Sequence, residues 1–147
     1  MSLGTIDTFV ELTEVGAGPG GRSMVVREVG GVMVTLWPEY TRDCRCVCFV
    51  VDGGGDWRWL DDAAEELDRI LADPEAGELP VAVFFNKVEA GARVPSVELA
   101  RRFFVARRVQ EDALRPRPRL GFFEGSAVTG EGVQDLLAWA LNHLPSQ

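Results

Sequence analysis

Three short apolar runs, separated by stretches with helical periodicity, set the architecture of this chain. CVCFVVD (46–52), VAVFFNK (81–87) and RLGFFEGSA (119–127) are short and rich in β-branched and aromatic residues. The first two are near-continuously apolar, which marks strands covered on both faces. Leu60, Ala63, Ala64, Leu67, Ile70 and Leu71 mark one face of a helix through Leu71, with Asp56 as N-cap. A second helix is expected over 96–110, opening near Pro95-Ser96. A third is expected from about Gly130 to Leu144, with Thr129 as N-cap and Val133, Leu136, Leu137, Ala140 and Leu141 turned inward. Strands alternating with helices imply crossover units, hence a mostly parallel sheet with helices on both sides. Ligands on such sheets bind at the carboxyl ends of the strands. The residues just after 52, 85 and 124 are therefore the ones to examine.

Ahead of this pattern, TIDTFVELTEV (5–15) largely alternates apolar with polar residues, GAGPGG (16–21) can only turn, and SMVVREV (23–29) reads as a strand. A β-hairpin is the economical reading. A competing one exists, because Gly16 to Ser23 spells G-x-x-x-x-G-[K/R]-S, a phosphate-loop pattern with Arg for Lys. That motif needs a helix after it, and MVVREVGG is β-branched and soon meets Gly30-Gly31. Arg22 is also a poor substitute for a compact ammonium between phosphates. The hairpin turn is preferred.

A length of 147 residues suits one domain, and 46% hydrophobic with 26% charged residues is the balance of a folded protein. The net charge of −8 repels phosphate backbones, so nucleic acid is an unfavourable partner. One small phosphate ligand on backbone amides stays open. Cys44, Cys46 and Cys48 alternate within one run, which suits small core residues on one strand face better than a metal-binding triple or a disulfide framework. No apolar stretch approaches the roughly 20 residues of a membrane helix. The termini show no signal peptide or lipidation pattern, so a cytoplasmic protein without a membrane anchor is expected. His143 reads as a charge at a helix C-terminus, and nothing supports a hydrolytic triad. Trp57 and Trp59 either pack on the neighbouring helix or form a partner site.

The strand ends carry the chemistry. Asn86-Lys87-Val88-Glu89 follows the second apolar run, and Glu124-Gly125-Ser126-Ala127 follows the third. Arg27-Glu28-Val29-Gly30-Gly31 closes the hairpin. In this order they resemble the small GTPases, whose pattern is Asp-x-x-Gly, Asn-Lys-x-Asp and Ser-Ala. The Arf-like branch is the best match, since LWPEYTRDCRCVCFVVD, DDAAEELDRIL and VAVFFNK are also similar to its segments. The resemblance implies a three-layer α/β, small-GTPase-like (P-loop NTPase-type) fold. Its sheet is mostly parallel with an N-terminal β-hairpin, and the first strand–P-loop–helix unit is missing. On this expectation residues 1–147 form a single truncated domain, and the gap in the sheet is closed by re-pairing, a partner or a dimer.

The same resemblance implies ligands and roles. In Asn-Lys-x-Asp the carboxylate accepts two hydrogen bonds from the guanine edge. The Lys stem packs over the base, the Asn braces neighbouring loops, and Ser-Ala offers a backbone N–H to the guanine carbonyl. Asn86, Lys87, Ser126 and Ala127 match, whereas Glu89 keeps the carboxylate but moves it out by one methylene. Glu28 stands where Asp holds Mg²⁺ through water, while Gly30 and Gly31 are retained, Gly31 being the residue whose N–H reaches the γ-phosphate. Val32 replaces the Gln that orients the attacking water, which implies slow hydrolysis. Ser2 is the only candidate for the Mg²⁺-binding threonine of the first switch. The expected ligand is thus GTP or GDP with Mg²⁺, and the expected partner an effector or regulatory protein. Two functions follow: a nucleotide switch with weak or slow GTP hydrolysis, or a nucleotide-free pseudo-GTPase acting as an interaction module. No catalytic residue is assigned.

Overall fold

Continuous apolarity makes VAVFF the centre of the sheet. The computed structural model describes residues 8–13, 23–28, 44–53, 57–74, 77–86 and 94–143, with backbone alone for 8–13, 23–28 and Trp57. Residues up to Trp37 form one compact unit and those from Pro38 onward another.

In the first unit, β1 (Thr8–Thr13) pairs antiparallel with β2 (Ser23–Glu28), Thr8 opposite Glu28 and Thr13 opposite Ser23. The segment after Gly16–Ser23 is therefore a strand and not a helix. A phosphate loop needs strand–loop–helix, so the competing reading falls and the hairpin stands.

In the second unit, β3 (Val47–Asp52), β4 (Val81–Asn86) and β5 (Leu120–Gly125) form a parallel sheet in the order β3-β4-β5. The connections are α1 (Trp57–Ala72), then α2 (Ser96–Arg102) and α3 (Val105–Ala113), with α4 (Val133–His143) after β5. The expected α/β fold with a parallel sheet is present. Val81 to Phe85 are all buried, as are Leu60, Ala64, Leu67 and Ile70 of α1 and Leu99 of α2. Each such large side chain contributes about 1.5–3 kcal/mol. Phe103 meets Phe85 edge-on at 5.0 Å on one face of the sheet, while Trp139 of α4 meets Phe123 at 5.8 Å on the other. Gly121 lets the Trp139 ring lie against the strand, since a Cβ there would sit 2.8 Å from it.

Four sequence expectations need correction. β3 is not buried on both faces: Phe49 and Val51 are buried, but Cys48 is exposed and Val50 is 61% exposed. The reason is coverage, because α4 packs mainly on β4 and β5. Cys44 and Cys46 precede the strand and are half-buried, so the three cysteines are not core residues on one strand face.

The helix expected over 96–110 is two helices, broken at Phe103-Phe104, where Phe104 adopts the left-handed conformation (φ 50°, ψ 41°). The break lets the buried Phe103 drop onto Phe85, and Arg108 holds it there. Its Nε donates to the Phe103 carbonyl at 2.6 Å and its Nη1 pairs with Asp68 of α1 at 2.7 Å.

The last helix starts at Val133 and not near Gly130. Gly130 and Gly132 take φ of 85° and 76°, a left-handed turn that delays helix entry. Thr129 accordingly is not its N-cap and accepts the Glu131 N–H at 3.3 Å. At the far end of the sheet, buried Arg119 donates to the carbonyls of Leu71 and Leu79, and burial lowers its pKa below the ordinary value.

Candidate functional site

Parallel register brings Asp52, Asn86 and Gly125 level at the carboxyl ends of the three strands. Gly53 donates its N–H to the Asn86 carbonyl at 2.7 Å, and a Cβ on Gly53 would sit 3.2 Å from that oxygen. A glycine here thus allows β3 and β4 to approach closely where they end.

The β5 end folds back on itself. Ser126, only 3% exposed, donates its backbone N–H to the Glu131 carbonyl at 2.9 Å and accepts the Gly130 N–H at 2.8 Å. Its Oγ accepts the N–H groups of Val128 and Thr129, each at 3.2 Å. Gly125 lies against the Glu131 carbonyl and Gly132 against that of Glu124, so neither position has room for a side chain. The 125–132 segment is therefore a closed turn in which one serine hydroxyl orders two of the amides, a preorganised rim beside the strand ends.

Asn86 links the two strand ends. Its Oδ1 accepts the Ala127 N–H at 3.0 Å. That N–H belongs to the Ser-Ala segment, from which the resemblance expects a backbone donor to the guanine carbonyl. Asn86, Ser126 and Ala127 are thus brought together, although they come from different strands. Lys87 and Glu89 lie outside the described residues, as do Gly30, Gly31, Val32 and Ser2. Glu28 ends β2, in the first unit.

Sequence reading missed three features. Gly53 had no role, and its signal was the Gly run after an apolar strand ending in Asp52. Gly125 was read only as part of the third strand and Gly132 as part of the last helix, with no role for the close approach each allows. The third is a pair: the Ser96 hydroxyl at the start of α2 donates to Glu124 Oε2 at 2.9 Å. No spacing rule announces it, since 28 positions separate the two. Chemically, Asp52 and Glu124 place carboxylates at this end of the sheet, which suits base N–H donors better than phosphates. Among the described residues, no group of three or more His, Cys, Asp or Glu side chains could hold a metal ion. None of the described helices is long and apolar enough to cross a membrane.

The sequence profile of the ADP-ribosylation factor family matches residues 20–144. ADP-ribosylation factor-like protein 16 of Homo sapiens is 27% identical over 118 residues, covering 80% of this chain and 57% of the relative. ADP-ribosylation factor-like protein 3 of Saccharomyces cerevisiae is 28% identical over 120 residues, again 80% and 57%. ADP-ribosylation factor-like protein 14 of Mus musculus is 26% identical over 136 residues, 91% of this chain and 68% of the relative. The chain thus spans just over half the length of the first two.

Proposed function

The chain belongs to the ADP-ribosylation factor family, and from that membership we propose that it is a guanine-nucleotide-binding switch of the Arf-like type with weak or slow GTP hydrolysis. The observation that carries this reading is the hydrogen bond from Ala127 to Asn86, which joins the Asn-Lys and Ser-Ala segments at adjacent strand ends. On this reading the guanine lies over the rim formed by Asn86, Ser126 and Ala127. Lys87 covers the base and the Glu89 carboxylate accepts from its edge, in a pairing that adenine does not offer. The longer side chain of Glu89 shifts that contact and weakens it. The resemblance assigns Glu28, Gly30 and Gly31 to the switch and phosphate side. With Val32 in place of a water-orienting Gln, hydrolysis is slow. An effector or regulatory protein is the partner, and the cytoplasm the compartment. Within the family, the run Arg27-Glu28-Val29-Gly30-Gly31 favours the type of ADP-ribosylation factor-like protein 16.

A second reading is favoured by three substitutions taken together, Glu28, Val32 and Glu89. Each departs from the family pattern on the nucleotide path, and a chain that gave up nucleotide would act as a protein-interaction module. Equilibrium binding of a fluorescent GDP analogue, competed with GTP and ATP, separates the two. Guanine-selective displacement supports the switch, and absence of binding supports the module.

A further inference from the structure

Arg115-Pro116-Arg117-Pro118-Arg119 connects α3 to β5 at the amino ends of the strands, the end of the sheet opposite to Asn86 and Ser126. This connection is fastened on both sides. The Asp112 carboxylate accepts the backbone N–H groups of Arg119 and Leu120, each at 3.1 Å, and buried Arg119 holds the carbonyls of Leu71 and Leu79. Arg115 Nη2 pairs with Glu78 at 2.8 Å, while its buried Nε has no hydrogen-bond acceptor, Asp112 Oδ1 being 3.9 Å away. Pro116 and Pro118 fix their own φ and push Arg115 and Arg117 toward extended backbone. Arg117 is thus held into solvent on a stiff strut, and among the described residues no carboxylate pairs with it. Beside it opens a cleft of about 440 Å³ lined by Glu78, Arg115, Pro116 and Arg117. Leu114, next in the chain, is 86% exposed.

We propose that this cleft is a docking site for a segment of a partner protein that presents a carboxylate beside an apolar side chain. The carboxylate meets the Arg117 guanidinium at the mouth of the cleft, and the apolar group covers Leu114 and Pro116. Asp112, Arg115 and Arg119 fasten the connection, whereas the Arg117 and Leu114 side chains lie outside that fastening. Three guanidiniums stand here against two carboxylates, Glu78 and Asp112, so this corner is locally positive on a chain of net charge −8. An acidic segment is repelled by the rest of the surface and admitted here, which fixes where and in what register it docks. A broad anionic membrane would also meet the negative remainder, and a phosphate dianion would meet Glu78, so a narrow carboxylate-bearing segment fits best. Stiffness adds to the effect, because a strut set by two prolines has little backbone freedom left to lose on binding. The cleft and the guanine rim lie at opposite ends of the sheet, so this docking does not depend on nucleotide.

The test uses the full chain. Random peptides displayed on phage are selected on the original chain and counter-selected on Arg117→Glu. The strongest binder is then synthesised and titrated against the original chain, Arg117→Glu, Arg117→Lys and Leu114→Ser. The selected peptides are expected to share an Asp or Glu next to an apolar residue. Arg117→Glu should weaken binding about tenfold and Leu114→Ser about fivefold, while Arg117→Lys, which keeps the charge, should retain most of it. All three positions are solvent-facing, so the melting temperature should hold, and affinity should fall as salt rises. Selection that yields no peptide dependent on Arg117, or a shared motif without an acid, overturns the proposal. So does Arg117-dependent binding of phosphatidylserine vesicles, which would assign the cleft to a lipid surface. Self-association of the chain that Arg117→Glu abolishes overturns it too, in favour of a second copy.

Discussion

Asn86 Oδ1 accepts the backbone N–H of Ala127 at 3.0 Å, a contact that joins two motifs 41 positions apart in the sequence. The acceptor is a side chain and the donor is main chain, so the bond can be removed without altering the turn's own backbone. Ala127 is exposed, and water replaces part of the loss. Asn86→Ala is therefore expected to cost about 1 kcal/mol in urea unfolding. The same change should speed amide exchange at Ala127 and weaken guanine-nucleotide binding about tenfold. Unchanged exchange there contradicts the account of the site.

Gly125 and Gly132 sit against the carbonyls of Glu131 and Glu124, and Gly132 has a φ of 76°. A methyl group at either position has to push backbone aside, because no flexible side-chain end is there to yield. Gly132→Ala is expected to destabilise the chain by about 2–3 kcal/mol, and Gly130→Ala, which has open space around it, by about 1 kcal/mol. Chemical denaturation of the two variants checks the order. Equal costs would show that conformation alone matters there, without the close approach.

Arg108 is 7% exposed, whereas the side chain of its partner Asp68 is 61% exposed. Removing the arginine leaves the Phe103 carbonyl without its donor and empties a buried site. Removing the carboxylate leaves the guanidinium its bond to Phe103. Arg108→Ala is thus expected to cost about 3 kcal/mol and Asp68→Asn about 1 kcal/mol. Thermal unfolding of the two variants ranks them, and the reverse order would contradict this division of labour.

How far these features could be read beforehand follows from their range in sequence. The alternation of apolar runs and helical periods foretold that β3, β4 and β5 run parallel, because period and length are local properties. The break at Phe103-Phe104 was not legible. Nothing in SVELARRFFVARR marks a stop, and the left-handed Phe104 is imposed by Phe103 packing on Phe85 and by Arg108 reaching back to its carbonyl. The exposed face of β3 was misread for a related reason, since apolarity reports what a strand tolerates and not which helix covers it. At the candidate site, Asn86, Ser126 and Ala127 were singled out through a motif, whereas Gly53 and the Ser96–Glu124 pair depend on contacts that only the folded chain creates.

Burial, reinforced by the neighbouring Cys48 and Cys44, pushes the Cys46 thiol up to about 12. Its folded-state pKa lies above the unfolded value, so the protonated thiol favours the fold. That contribution is intact below about pH 9 and is lost as pH rises toward about 12. Stability measured across this window should fall less steeply in Cys46→Ala than in the original chain. At pH 8, alkylation of Cys46 should run on the order of a hundredfold slower than that of a free thiol, as mass mapping of labelled peptides can show. Rapid labelling of Cys46 contradicts its burial.

The central claim is that the ends of β4 and β5 read guanine. Competition binding addresses it most directly: the chain of 147 residues is titrated with a fluorescent GDP analogue and Mg²⁺, then challenged with unlabelled GTP or ATP. The account predicts displacement by GTP and not by ATP, with affinity reduced in Asn86→Ala. No binding, or displacement by ATP as efficient as by GTP, contradicts it.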